Sequence, residues 1–156
     1  MAADETPENE STGGTGPGHR SVELTRESLG RYEIRNARGG TITIGDGSTD
    51  DFTPVELLLA ALAGCSSVDV DHITSRRAEP ESFVVAAEGE KTSTPEAGNH
   101  LTDLRVTFRL GFPEGDAGDA ARAAFPRSVA QSRDRLCSVS RTVQLGMPVT
   151  MTAEDS

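Results

Sequence analysis

The chain reads as an α+β protein with a mostly antiparallel sheet, and three features carry that reading. Leu104, Val106, Phe108, Leu110 and Phe112 alternate with Arg105, Thr107 and Arg109, the pattern of a half-buried antiparallel strand. Thr53-Pro54-Val55-Glu56 opens an apolar run with an N-cap residue, a proline at the first helical position and a glutamate at the third, a complete capping box. Short β-branched segments separated by glycine turns precede that helix.

The elements follow in order. Ser21–Thr25 and Tyr32–Arg35 alternate apolar and polar residues, and Thr41–Ile44 is β-branched throughout. Ser28-Leu29-Gly30 and Arg38-Gly39-Gly40 supply the turns, and Gly45-Asp46-Gly47-Ser48 ends the segment. The helix from Pro54 is apolar on every side up to Cys65, so it is expected to be enclosed. It frays near Arg76-Arg77. Phe83–Ala87 reads as a strand, and Asp119–Leu136 reads as helix, kinked or split by Pro126. Cys137–Leu145 forms a short helix ended by Gly146, and the alternation of Met147, Val149 and Met151 predicts a last strand.

Residues 1–19 form an acidic Gly/Ser/Thr-rich tail, expected to be disordered because it has almost nothing apolar to bury. Residues 20–156 form the domain. The formal net charge is −10 and Lys91 is the only lysine, which argues against binding nucleic acid or an anionic membrane surface. The tail lacks the features of a secretory signal, and Glu56 and Asp69 bracket the longest apolar run, so no membrane span is expected and the cytoplasm is the expected location.

Chemistry rests on the two cysteines. Cys65 has Asp69 and His72 at i+4 and i+7, but His72 lies roughly 10 Å along the axis, too far for a hydrolase pair. Asp69 and His72 read as the exposed end of the helix. Neither cysteine has partners at metal-ligand spacing, so no metal and no cofactor are expected. Cys137 opens a helix, with Arg133, Arg135 and Arg141 nearby in sequence, which favours its thiolate.

Thr53-Pro54-Val55-Glu56-Leu57-Leu58-Leu59-Ala60-Ala61-Leu62-Ala63-Gly64-Cys65, followed by Leu136-Cys137-Ser138-Val139-Ser140-Arg141, resembles the OsmC/Ohr family of osmotically inducible and organic-hydroperoxide-resistance proteins. The resemblance runs from about Ser21 to the end and includes the element order. It implies the OsmC-like fold, an intertwined homodimer with a buried central helix, and a peroxidase that reduces organic hydroperoxides with electrons from a dithiol reductant. It makes Cys65 the peroxidatic and Cys137 the resolving cysteine, the reverse of the order their local sequence favours. It also implies a thiolate-stabilising arginine from the N-terminal strands, Arg31 or Arg26, held by a glutamate directly after the capping proline. Here Val55 follows Pro54, and Glu56, one residue later, is already assigned to the cap. The Pro-Val-Glu-Leu-Leu form is closer to the OsmC-like branch, for which the alternative is a non-catalytic dimer binding a small apolar ligand.

Overall fold

The computed structural model describes residues 16–155; the tail expected over residues 1–19 falls almost wholly outside them. Contacts group the chain into two compact units, one ending at Leu57 and one beginning at Leu58.

The first unit is an antiparallel meander of β1 (Val22–Ser28), β2 (Arg31–Asn36) and β3 (Thr41–Gly45), in that order across the sheet. Leu24 pairs with Ile34, and Ile34 with Ile42, so the apolar positions share one face. Gly30 makes the first turn at φ +75, where a Cβ would fall 2.2 Å from the Asp46 carboxylate. The unit ends in the first turn of helix α1 (Pro54–Ser75), and the capping box forms as its sequence requires. The Thr53 amide donates to Glu56 Oε2 at 2.8 Å, and the Glu56 amide donates to Thr53 Oγ1 at 3.4 Å.

The second unit carries the rest of α1, the long hairpin β4 (Ser82–Thr94) and β5 (Gly98–Gly111), helix α2 (Asp116–Gln131), a π-helical turn over Ser132–Leu136, and helix α3 (Ser138–Leu145). A bulge interrupts the hairpin between Glu88 and Glu90. Phe125 of α2 meets Phe108 and Phe112 edge-on, with centroids 6.5 and 6.2 Å apart. Arg122 donates to the carbonyls of Phe112 and Pro113 at 2.7 and 2.9 Å, fixing the start of α2 on the end of β5.

Three expectations need correction. Pro126 neither ends nor splits α2, which continues to Gln131. Pro126 and Arg122, whose carbonyl loses its donor, both lie on the exposed side, where water can serve that carbonyl. The irregularity comes later, as the π-turn. Residues 147–151 are not a strand: the alternation is there, but no partner strand among the described residues accepts their hydrogen bonds, and Met147, Val149 and Met151 are exposed. Within its own chain helix α1 is buried only at Leu62, Ser66, Val70 and Thr74, a single stripe at i+4 spacing, so the enclosure expected of it is not supplied by one chain alone. Finally, Glu56 and Asp69 do not keep α1 too short for a span. By length and composition it is apolar enough to cross a membrane, with 22% of its most apolar stretch buried within the chain.

Candidate functional site

Cys65 sits in the middle of α1, half-buried, on a stripe continued by Asp69 one turn later. Cys137 occupies the joint between the π-turn and α3 and is fully buried. Its amide donates to the Ser132 carbonyl at 2.9 Å, closing the π-turn. Its extended backbone makes it the N-cap residue of α3, and its Sγ accepts the Ser140 amide at 3.3 Å. The expected placement of this cysteine at a helix start is therefore met. The fold brings the two cysteines near one another: both are free thiols, and Cys65 is close enough to act on the titration of Cys137.

The thiolate expected at Cys137 is not favoured. Burial pushes this thiol up from 9.0 to about 11, against the opposing pull of the Ser140 amide; the neighbouring Cys65 and the negative charge of Asp69 raise it further. The nearby arginines do not reverse this. Arg133 is turned to the Asp134 carboxylate in two hydrogen bonds of 2.7 and 3.0 Å, and Arg141 also acts on Asp134, holding that carboxyl below its usual range together with Arg133. At neutral pH Cys137 keeps its proton.

Two further residues belong to the site. Asp69 is half-buried, not at an exposed helix end, and its Oδ2 accepts the buried Ser132 hydroxyl at 2.9 Å. Ser132 thus holds both sides: its carbonyl takes the Cys137 amide while its hydroxyl ties the π-turn to α1. The i+4 spacing from Cys65 flags Asp69 in the sequence; nothing in Ser132-Arg133-Asp134-Arg135-Leu136 announces a π-turn. His72 is exposed, with Nδ1 bonded to the Val68 carbonyl at 2.7 Å on its own helix.

The remaining candidates lie in the first unit. Arg31 donates from Nε to Glu27 Oε2 at 2.8 Å, and its Nη1 lies 3.9 Å from Asp51 Oδ2. Arg26 is an exposed residue of β1. Glu56 is engaged in the cap of α1, as its spacing from Thr53 foretells.

The profile of the family described as OsmC-like protein matches residues 45–152, a stretch that holds both cysteines. The chain belongs to the OsmC-like family. It is 26% identical over 133 residues to an uncharacterized protein of Mycobacterium tuberculosis, covering 85% of this chain and 94% of that one. The fold is similar to that of an OsmC-like protein of unknown function from Vibrio cholerae, with a TM-score of 0.67 at 13% identity, covering 82% of this chain and 95% of that one. It is also similar to an organic hydroperoxide resistance protein OsmC from Legionella pneumophila, with a TM-score of 0.55 at 15% identity over 83% of this chain and 91% of the other. The α+β architecture with antiparallel sheets is thus that of the OsmC-like fold.

Proposed function

We propose that this OsmC-like protein is a thiol-dependent peroxidase that reduces organic hydroperoxides in oxidative or osmotic stress defence, in the cytoplasm, as a homodimer. The observation that carries the reading is the approach of two free thiols from distant parts of the chain, one on α1 and one at the joint between the π-turn and α3, near enough that Cys65 acts on the titration of Cys137. The Cys65 thiolate attacks a peroxide oxygen, the O–O bond breaks, and the alkoxide leaves as the alcohol after taking a proton. Cys65 is then a sulfenic acid. The Cys137 sulfur displaces its hydroxyl, the proton of Cys137 leaves with that hydroxyl as water, and a disulfide forms. A dithiol reductant returns both thiols by exchange.

The roles follow from the proton on Cys137. A thiol held to about 11 is a poor first attacker at neutral pH, so Cys65 takes that part and Cys137 resolves. Of the two arginines expected to stabilise the Cys65 thiolate we take Arg31 in preference to Arg26, because Glu27 and Asp51 hold its guanidinium although Val55 stands at the position of the family glutamate. The homodimer reading is supported by the exposure of Leu58 and Val68 on α1 and of Leu24 and Ile42 on the first sheet, apolar surface that a second copy would cover.

The competing reading, a non-catalytic dimer that binds a small apolar ligand, draws on Val55 and on the commitment of Glu56 to the cap. Turnover decides between them. Purified protein given an alkyl hydroperoxide and a dithiol should consume the peroxide and accumulate a Cys65–Cys137 disulfide when the reductant is withheld, while Cys65→Ser does neither. Equal, slow consumption by both proteins would remove the peroxidase reading.

A further inference from the structure

Beyond the two thiols, the second unit holds a cleft of about 570 Å³ between the end of α1 and the body of α2. Its origin is local. Ala120, Ala123 and Ala124 recur at helical spacing on one face of α2, where larger side chains would fill the space against Ile73. Around this apolar floor stand Arg76, Arg77 and Arg127, and no acidic residue lines the cleft.

The charge is the informative part. In a chain of net charge −10, three arginines gathered without an acid do not follow from composition. Arg77 is accounted for, since its Nη1 donates to the Ile73 carbonyl at 3.0 Å, a normal use of a cation at a helix C-terminus. Arg76 and Arg127 have no ion pair or hydrogen-bond partner among the described residues. Collected like charges repel one another, and an anion between them would offset that repulsion. A guanidinium also binds a carboxylate through two parallel hydrogen bonds. The volume lies in the range of small-molecule sites.

We propose that this cleft binds an organic carboxylate with an apolar body, its head between Arg76 and Arg127 and its chain over Ile73 and the alanines of α2. The site is independent of peroxide chemistry and uses neither cysteine.

The test is calorimetric titration of the reduced full-length protein with octanoate, octanol and inorganic phosphate. Octanoate should saturate one site per chain, with octanol and phosphate each at least about tenfold weaker, since one lacks the charge and the other the chain. The double variant Arg76→Gln/Arg127→Gln should lose at least about tenfold in octanoate affinity. Ala123→Leu should abolish binding by filling the floor without touching a charge, and Cys65→Ser should bind as wild type does. No saturable binding, or undiminished binding by the double variant, would overturn the proposal. So would phosphate binding as tightly as octanoate. A failure of octanoate to bind together with a change of oligomeric state in the double variant would also overturn it, making the cleft a contact between copies of this chain.

Discussion

Cys137 should make the protein lose stability in alkali in a way that one substitution removes. The folded protein binds the Cys137 proton more tightly than the unfolded chain does, because burial disfavours the thiolate. The resulting stability is fully present below pH 9 and is lost as the pH climbs toward 11. A rise from 9.0 to about 11 corresponds to roughly 2.7 kcal/mol, at about 1.4 kcal/mol per pH unit. Urea unfolding of wild type and Cys137→Ala, both kept reduced, isolates this from the other groups that titrate in the same range. The truncation adds a constant offset from the lost packing. On top of it, the stability of wild type relative to the variant should hold steady up to pH 9 and then fall toward pH 11. Alkylation of Cys137 in a Cys65→Ser background should still show a midpoint above 9.0, since burial, the largest cause, remains when the contribution of Cys65 is gone. A difference between the two proteins that stays flat across the whole range, or a Cys137 that alkylates like an ordinary exposed thiol, would refute the reasoning.

Ser132→Ala should cost about 1.5–3 kcal/mol, because it strips a half-buried carboxylate of a charge-assisted hydrogen bond of 2.9 Å. A double-mutant cycle with Asp69→Asn checks that the loss belongs to this pair, through a coupling energy well above zero. Light scattering at micromolar concentration should find wild type dimeric. Leu58→Glu, which places a charge on an apolar side chain already 37% exposed in the single chain, should shift it to monomer or unfold it.

Much of the fold was legible because its signals are local. The capping box of Thr53 and Glu56, the alternation along β5 and the left-handed Gly146 that ends α3 each act through neighbours a few residues away, and each appears where its sequence places it. What depends on partners was not legible. Alternation at Met147, Val149 and Met151 makes a segment suited to pairing, but a strand needs a neighbour to receive its hydrogen bonds. The helix dipole and the nearby arginines point to a thiolate at Cys137, yet burial outweighs them, and burial is set by the whole unit. The same holds for Asp69: its spacing from Cys65 is visible, while its partner on a π-turn is not.

The π-turn has a consequence for which changes this region tolerates. Over Ser132–Leu136 the backbone fits an extra residue into one turn, so the phase of everything downstream depends on that turn keeping its π pitch. Removing one of them and restoring α pitch would leave the following chain nearly in phase, whereas keeping all five at α pitch would swing it by about 100° and carry the Cys137 sulfur away from Cys65. Arg133, Asp134 and Arg135 are exposed, and their side chains are open to exchange. The pitch is not: at this joint the backbone conformation is under tighter constraint than side-chain identity, and tightening the five residues to α pitch separates the two sulfurs where an exchange of exposed side chains leaves them in place.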